Sequence, residues 1–404
     1  MDLSLPEEIA ALDDLVARFV AREIAPAIDD FERRQAFPAP IIAKMGAAGL
    51  FGAAFPERLG GSDMGFLAVA VIAEALSRRV PEFGYALNLQ AMTCPLTIYN
   101  WGEEAQIARF VPDLIAGRRI GMFALTEPGG GSVAAGSMRT TARRDGDVYR
   151  LDGAKQWITF ADVCDTGLLF AKTDANAGHR GITAFIVEPK SAPGFRAEPI
   201  EMAGLSRCLR SCSVFLDDFP VPVENRLGAE GEGFKIAMNA LEYGRLAVSA
   251  RLVGLARACL DHATAHARER VVGGQAIGRY QMIKQPIADM AVDIEAARLM
   301  VWRTAWCMDR GLTASRAAAQ GKYVAGRAAK HAAQAAAEIF AAQALAEGAP
   351  IAKLAAYVNM LSVGEGTPNI QRILIAYDAL GFRDANRHGV HRRAAERAPP
   401  EDEG

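Results

Sequence analysis

The 404-residue chain has few cysteines and no excess of one charge. Its six cysteines are scattered, at positions 94, 164, 208, 212, 259 and 307. So sparse a set argues against a disulfide-built fold and favours reduced thiols. Basic and acidic residues nearly balance, at 45 and 47, which argues against nucleic acid or a membrane surface as the partner.

Long apolar runs are also missing. No uninterrupted apolar segment reaches the length of about 20 residues that a membrane-spanning helix requires. The chain begins with Met1-Asp-Leu-Ser-Leu-Pro-Glu-Glu8, which is acidic where a secretory signal peptide is basic and then apolar. We therefore expect a soluble, cytoplasmic protein. The hydrophobic share of 51% supports a large buried core.

The predicted secondary structure changes twice along the chain. Residues 1–118 repeat apolar side chains at helical spacing, and residues 119–227 alternate short β-type runs with turns. Residues 228–385 return to helix, with alanine-rich stretches typical of a tightly packed bundle. We expect residues 386–404 to form a flexible tail. The predicted fold is therefore mostly α with a β insert.

The middle segment predicts a small sandwich or barrel. Turn residues such as Asp152-Gly153 and Asp217-Asp218 separate its strands. The predicted strands are the apolar runs 120–125, 148–151, 167–171, 182–187 and 213–216.

A carboxylate lies between two glycines in Gly364-Glu365-Gly366-Thr367. Glycine favours turns and close backbone approach, so Glu365 could be held in a cavity and partly stripped of water. Desolvation raises the pKa of a carboxylate and makes it a better base near neutral pH. Taken alone, the motif is more typical of a solvated Glu in an ordinary glycine-rich turn.

Two motifs of the middle segment offer groups for a flat, phosphate-bearing ligand. Leu125-Thr-Glu-Pro-Gly-Gly-Gly-Ser132 presents backbone N–H groups and a hydroxyl, although a tight β-turn is the alternative. It matches neither the dinucleotide fingerprint nor the phosphate loop. In Lys155-Gln-Trp-Ile-Thr159, the Trp could stack on a ring while the hydroxyl reaches a heteroatom. A core Trp beside a surface Thr is the alternative.

Metal and hydrolase sites are not predicted. His262 and His266 share a helix face but lack a third ligand, and Cys208 and Cys212 have no second pair or nearby His. No G-x-S-x-G nucleophile elbow is present.

Taken together, these segments resemble the acyl-CoA dehydrogenase family of FAD flavoenzymes, from about residue 5 to about residue 380. The matching motifs occur in the family's order and at similar spacings. They are Phe37-Pro38, 49–52, Pro56-Glu57, Gly60-Gly61, 125–132, 153–159, Val221-Pro222, Leu227-Gly228, 231–234, 241–245, Glu269-Arg270, Gln281, 288–290 and 365–367.

The resemblance implies an N-terminal helical domain, a middle β-sandwich or barrel domain and a C-terminal four-helix bundle. It also implies a homotetramer or homodimer, with FAD between the β domain and the bundle and in reach of a neighbouring subunit. The implied contacts to the flavin ring are Leu125 and Thr126 at its pyrimidine edge and Trp157 and Thr159 over the ring. Ser132 would lie near the pantetheine or flavin phosphate, and Arg270 and Gln281 would bind FAD phosphates across the dimer. Thr367, which follows the base, would also contact the cofactor.

The same resemblance implies that Glu365 is the general base. It would take the α-proton of an acyl thioester while the β-hydrogen leaves as hydride to flavin N5. Glu242 and Arg245 would line the acyl side, together with Ser132 and an N–H near Glu365, at Gly366. Some members place the base just before the position of Arg245, but that residue is Gly244 here, which leaves Glu242 as a distant second candidate.

Several positions depart from the family pattern. Arg270-Val-Val-Gly-Gly274 lacks an aromatic contact to the cofactor, and Ala356-Tyr357 replaces an Arg-Asp pair. Glu338-Ile-Phe-Ala-Ala342 replaces Gln-x-x-Gly-Gly, so a carboxylate would face the pyrophosphate and methyl groups would crowd it. These changes predict altered FAD binding.

Two further departures concern the substrate. Gly364 replaces an aromatic residue, which predicts a wider pocket and a branched, cyclic or bulky acyl group. The segment 84–90 lacks the Arg that glutaryl-type members use for a distal carboxylate, which disfavours a decarboxylating dicarboxylic substrate.

We therefore predict an FAD-dependent α,β-dehydrogenase of an acyl-CoA that passes electrons to an electron-transfer flavoprotein. Three alternatives remain: a dehydrogenase of an acyl-carrier-protein-bound substrate, an oxidase or monooxygenase, and a non-catalytic homologue with weakened FAD binding.

Overall fold

In the first part of the chain, amphipathic sequence folds into helices whose apolar sides share one core. The computed structural model describes residues 4–132, 134–346 and 348–382. The helices of this part are α1 (Glu7–Phe19), α2 (Ile28–Arg34), α3 (Ala39–Ala47), α4 (Phe66–Arg79), α5 (Gly84–Leu87), α6 (Pro95–Trp101) and α7 (Glu104–Ile115).

Two segments of this part are wound as π-helix, Val20–Ile24 after α1 and Asn88–Thr93 after α5. As Pro26 predicts, the first helical run ends there and the chain turns into α2. π-Helical turns are rare and often mark functional positions. The second one lies beside the site described below.

In its described residues, the middle part forms a mixed sheet of eight strands with one short α-helix. Its elements are β1 (Gly121–Ala124), α8 (Ala134–Ser137), β2 (Thr141–Asp145), β3 (Val148–Thr159), β4 (Thr166–Lys172), β5 (Ile182–Val187), β6 (Phe195–Pro199), β7 (Ser211–Pro222) and β8 (Arg226–Leu227). The strand order is β6-β7-β3-β2-β4-β5-β8, and β1 pairs with β4 in parallel. Side chains from both halves of the sheet, such as Leu169 and Val214, meet in one core.

The sheet differs from the prediction in three strands and two turns. β2 and β6 were not predicted because their sequences alternate few apolar residues with charged ones, and β8 was not predicted because it has only two residues. The prediction of turns at Asp152-Gly153 and Asp217-Asp218 is wrong, since both pairs lie inside long strands. Gly153 has a φ of +146° beside a register shift, so its turn propensity is expressed as a β-bulge.

The last part is a helical bundle. Its elements are α9 (Gly233–Glu269), β9 (Val271–Val272), β10 (Gln275–Ala276), α10 (Gln281–Asp309), α11 (Ser315–Phe340), α12 (Pro350–Val363) and α13 (Pro368–Ala379). α11 buries mostly alanines, which lets it approach its neighbours closely. α9 packs against α10, α11, α12 and also α4, so one apolar core joins the first and last parts.

The mostly α fold with a β insert is confirmed. All six cysteines are free and buried, as expected for reduced thiols. Among the helices of the described residues, none combines the length and apolar character needed to cross a membrane. The predicted tail, 386–404, lies outside the described residues.

Candidate active site

Glu365 lies in the loop between α12 and α13 with its carboxylate turned inward. The residue has a φ of +56°, unusual for a side chain other than glycine, and Gly366 follows at +95°. Asn88 Nδ2 donates to Glu365 Oε1 at 3.1 Å. Glu365 Oε2 is buried and has no hydrogen-bond partner within the described part of the chain. One oxygen of the carboxylate is therefore held while the other is left to accept a proton.

Helix α9 provides the space for this carboxylate at Gly244. A Cβ built at Gly244 would lie only 2.7 Å from Glu365 Cδ, so no larger residue fits without displacing the acid. Gly364, before Glu365, is unconfined, since a Cβ there would meet only Met360 O at 3.8 Å.

The backbone of the Glu365 loop is anchored by three side chains. Lys322 Nζ donates to Gly366 O at 2.6 Å, and Gln371 Nε2 donates to the same oxygen at 3.0 Å. Arg245 Nε donates to Glu365 O at 3.4 Å. These bonds hold the left-handed conformation at Glu365, which the local sequence alone would not favour.

Burial dominates the electrostatics of Glu365. It raises the pKa of Glu365 above the ordinary value, although the Asn88 hydrogen bond and the charges of Arg245, Lys322 and Arg251 lower it. Burial also lowers the pKa of Lys322 to about 7, against the opposing effect of the Glu365 charge. The site therefore holds a carboxylate whose ionisation is costly and whose proton affinity is high.

Glu242 of α9, one helical turn before Arg245, is a second buried acid in this region. Its Oε2 accepts from Ser315 Oγ at 2.8 Å, and its Oε1 is buried without a partner in the described residues. Burial raises the pKa of Glu242. The structure thus brings Glu242, Arg245, Glu365 and Gly366 into one region, as the sequence predicts.

The two motifs of the β domain meet at the end of β1. Gln156 N donates to Thr126 O at 2.9 Å, which ties the segment holding Trp157 to the glycine-rich loop. A bulge between Lys155 and Ile158 gives Trp157 a φ of +64° and leaves its side chain 52% exposed. The Trp is therefore not a core residue. Thr159 faces β7, where its hydroxyl contacts Ser211 Oγ at 3.0 Å.

A buried ion pair that sequence reasoning did not single out fixes this loop. Lys155 Nζ donates to Glu127 Oε1 at 2.8 Å, and Glu127 also accepts from the backbone of Arg139 and Thr140. Burial lowers the pKa of Lys155 to about 8. Glu127 and Lys155 both lie within the two motifs identified in the sequence. That they form an ion pair could be seen only in the folded structure.

The π-helical segment Asn88–Thr93 connects the two halves of the site. Asn88 reaches Glu365, while Gln90 Oε1 accepts from Gly121 N at 2.6 Å, where β1 begins. Sequence reasoning missed Asn88 and Lys322 as site residues. Neither belongs to a motif with a chemical signature, and both are far from Glu365 along the chain.

Other predicted site residues lie apart from this group or have a local role. Thr367 caps α13 by accepting from Ile370 N at 3.3 Å. Ser132, Arg270 and Gln281 are exposed. Glu338 is also exposed and accepts from Gln334 Nε2 at 3.1 Å.

No metal-ligating group of three or more His, Cys, Asp or Glu side chains occurs in the described ranges. His266, one of the two histidines at helical spacing, instead stacks on the Phe340 ring with centroids 4.2 Å apart. That contact gives the histidine a packing role.

Comparison with known proteins extends over nearly the whole chain. The family models for the acyl-CoA dehydrogenase N-terminal, middle and C-terminal domains match residues 6–118, 122–219 and 231–380. A glutaryl-CoA dehydrogenase of Desulfococcus multivorans is 37% identical over 391 residues, 96% of this chain and 100% of that protein.

Solved structures agree. A glutaryl-coenzyme A dehydrogenase in complex with glutaryl-CoA has a TM-score of 0.92 at 36% identity, covering 97% of this chain and 100% of that one. The prolyl acyl carrier protein oxidase AnaB has a TM-score of 0.88 at 26% identity, and the match covers 94% of this chain and 100% of that one. The chain belongs to the acyl-CoA dehydrogenase family, whose members are FAD-dependent oxidoreductases.

Proposed function

We propose that the protein dehydrogenates an acyl-CoA thioester between its α and β carbons, with Glu365 as the base that removes the α-proton. One observation carries this proposal. Asn88 holds Oε1 of the Glu365 carboxylate, and Oε2 is buried without a hydrogen-bond partner among the residues that the structure describes. A desolvated carboxylate of raised pKa is suited to accept a proton from a weak carbon acid.

The residues of the β domain suit the FAD that the family uses. Trp157 presents a half-exposed indole at a bulge, which fits stacking against a flat ring. Its backbone neighbour Gln156 is bonded to Thr126, in the loop after β1. When bound, FAD supplies the two-electron acceptor for the β-hydrogen. We assign its ring contacts to Leu125, Thr126, Trp157 and Thr159, and further contacts to Ser132 and Thr367.

The substrate side is assigned to the bundle. Glu242 and Arg245 would line the acyl group, and the N–H of Gly366 is our candidate for polarising the thioester carbonyl. Polarisation matters because an α-proton is otherwise too weakly acidic to be removed. Lys322 and Gln371 keep this N–H at a fixed place by holding the Gly366 carbonyl.

The exposed residues Arg270 and Gln281 flank the β9–β10 hairpin. We propose that they reach the FAD phosphates of a second copy in a homodimer or homotetramer. Glu338 lines a surface groove with Met282, Gln285 and His331, so its charge would lie on that same face of the bundle. We further propose an electron-transfer flavoprotein as the acceptor.

Anaerobic bleaching of the flavin tests the proposal. Purified protein should be yellow and should lose its visible flavin absorbance when mixed with a panel of straight, branched and aromatic acyl-CoA thioesters. Glu365→Gln should keep bound FAD but not bleach, while Glu242→Gln should still bleach. Full bleaching by the Glu365→Gln variant would refute the assignment of the base.

The match to a prolyl acyl carrier protein oxidase supports a second candidate, an oxidase or dehydrogenase acting on a carrier-bound acyl group. Peroxide release in air, or bleaching only by a carrier-protein thioester, would favour it. Colourless protein that cannot be reconstituted with FAD would instead favour a non-catalytic homologue.

A further inference from the structure

Lys322 of α11 joins the Glu365 loop to the end of α12. Its Nζ donates to Gly366 O at 2.6 Å, directly after Glu365, and to Ser362 O at 3.3 Å, in the last turn of α12. The carbonyl end of a helix carries a partial negative charge, which a cation stabilises. The ammonium group of Lys322 therefore bridges two backbone segments whose relative position fixes Glu365.

The loop needs such an anchor because its backbone conformation is unfavourable. A residue other than glycine with a φ of +56°, as at Glu365, persists only where the surrounding structure holds it. Gln371 also donates to Gly366 O, at 3.0 Å, but its amide is neutral. Hydrogen bonds from charged donors are about twice as strong as those between neutral groups. Lys322 thus provides the stronger of the two bonds to this carbonyl.

Charge links Lys322 to the candidate base. Burial disfavours the charged form of both groups, since it raises the pKa of Glu365 and lowers the pKa of Lys322 to about 7. The Glu365 charge opposes this effect at Lys322, and the Lys322 charge opposes it at Glu365. Each charge therefore makes the other less costly, and the two groups titrate as a coupled pair.

The other elements around Lys322 face it mostly with positive charge. Arg245 of α9 and Lys330 of α11 further lower the pKa of Lys322, whereas α12 contributes the Ser362 carbonyl. Between α11 and α13 lies a cleft of about 110 Å³, whose basic lining groups are Lys322, Arg327, Lys330 and Arg372. Arg327 and Lys330 are exposed, so the cleft meets the solvent and gives Lys322 a route to exchange its proton with water.

We propose that Lys322 is a positioning residue for the proton transfer to Glu365, and that it acts in its protonated form. When protonated, it holds the Gly366 carbonyl and favours the ionised carboxylate that accepts the α-proton. When deprotonated, it donates more weakly and no longer offsets the cost of the Glu365 charge. The inference rests on the proposed function, because it takes Glu365 as the base. The active protein carries a proton on Lys322 and none on Glu365.

The pH profile of anaerobic flavin bleaching tests the proposal. With a saturating acyl-CoA, the wild-type rate constant should rise as Glu365 loses its proton and fall above about pH 7, where Lys322 loses its own. Lys322→Arg keeps the charge and the donors throughout this range, so the fall should disappear. The cleft beside Lys322 offers space for the larger guanidinium.

Lys322→Met keeps most of the side-chain volume but neither the charge nor the donor. The rate constant at pH 7 should fall by about 100-fold because the base is misplaced. The rising limb should move up by about one pH unit because a positive charge near Glu365 is lost, and the falling limb should vanish. Lys330→Met, an exposed lysine about two turns further along α11, is the matched control. It should leave the maximal rate constant unchanged and move the falling limb only toward higher pH.

A falling limb that persists unchanged in Lys322→Arg overturns the proposal. A Lys322→Met profile that is lower at every pH but unchanged in shape also overturns it, because that result marks a purely structural residue. Absence of bleaching of the wild-type flavin by every thioester would instead refute the proposed function.

Urea denaturation supplies a measurement that needs no thioester. Because the pKa of Lys322 is lowered in the folded chain, the unfolded chain binds more protons above about pH 7. The free energy of unfolding of the wild type, relative to Lys322→Arg, should therefore rise as the pH increases above that value. No rise would overturn the proposal, even if Lys322→Met does not fold.

Discussion

The carboxylate of Glu365 rests against the bare Cα of Gly244, so closely that a Cβ at Gly244 would lie 2.7 Å from Glu365 Cδ. The two residues are distant along the chain and belong to different elements, the α12–α13 loop and helix α9. Their contact explains why α9 carries a glycine in its interior, where that residue lowers helix stability by about 1 kcal/mol relative to alanine. The helix gives up local stability to make room for the acid.

Gly244→Ala should therefore lower activity while leaving stability almost unchanged. The added methyl would displace the Glu365 carboxylate, and a misplacement of about 1 Å commonly lowers a reaction rate by about 100-fold. Bleaching by a reactive acyl-CoA should slow accordingly, while the melting temperature changes little because alanine favours the helix. The matched control is Gly326→Ala in α11, where a Cβ meets nothing within 4 Å. A Gly244→Ala variant with the wild-type bleaching rate would contradict the assigned contact.

Glu365→Gln should raise the stability of the protein at neutral pH. Burial raises the pKa of Glu365, so the folded chain binds its proton more tightly than the unfolded chain does. The ionised carboxylate therefore lowers the free energy of unfolding at pH above the folded pKa, and this cost disappears as the pH falls through that value toward 4.5. Replacing this incompletely bonded buried carboxylate should raise the free energy of unfolding by about 1 kcal/mol at pH 7.

Urea denaturation of both proteins at pH 7 and near pH 4.5 checks this prediction. The difference in free energy of unfolding between Glu365→Gln and the wild type should be smaller at the lower pH. Glu224→Gln, at an exposed position, is the control and should show no such dependence. A variant that is less stable than the wild type at pH 7 and equal at pH 4.5 would show the opposite sign and refute the prediction.

The Glu127–Lys155 ion pair should behave as a buried unit. Lys155→Met leaves the Glu127 charge buried without its partner, which should lower the free energy of unfolding by about 3–5 kcal/mol. The double variant Glu127→Gln, Lys155→Met should recover part of that loss, because no uncompensated charge remains. Denaturant melts of the single and double variants measure the coupling, and additive effects of the two substitutions would contradict it.

We also expect Lys155→Met to lose FAD on gel filtration, since the ion pair fixes the loop after β1.

Ala341→Gly should stabilise the chain. Ala341 ends α11 with a φ of +51° and a ψ of −137°, a conformation that glycine adopts without a steric penalty. The residue is exposed, so little packing is lost on substitution. The free energy of unfolding should rise by about 1 kcal/mol. The neighbouring Ala342→Gly is the matched control, because Ala342 has no positive φ and glycine there should destabilise slightly. Thermal melts that rank the two variants in the reverse order would refute the backbone argument.

The fold class followed from local patterns, whereas the role of Glu365 as candidate base followed from the family resemblance. Apolar residues at helical spacing predicted the helical first part of the chain, and a short apolar run predicted β5 over 182–187. Such patterns suffice because a segment must bury its apolar face whatever it packs against. β2 was missed because a strand rich in charged residues is defined by the strands it pairs with and not by its own composition.

The glycines on either side of Glu365 marked that residue from the sequence alone, because their conformational freedom is a property of the residue type. Only the tertiary structure decided what surrounds it. Asn88 donates to the Glu365 carboxylate, Lys322 donates to the neighbouring Gly366 carbonyl, and Gly244 packs against the carboxylate, each from a separate helical segment. Hydrogen bonding and burial depend on which segments the fold brings together, and no spacing along the chain encodes those distances.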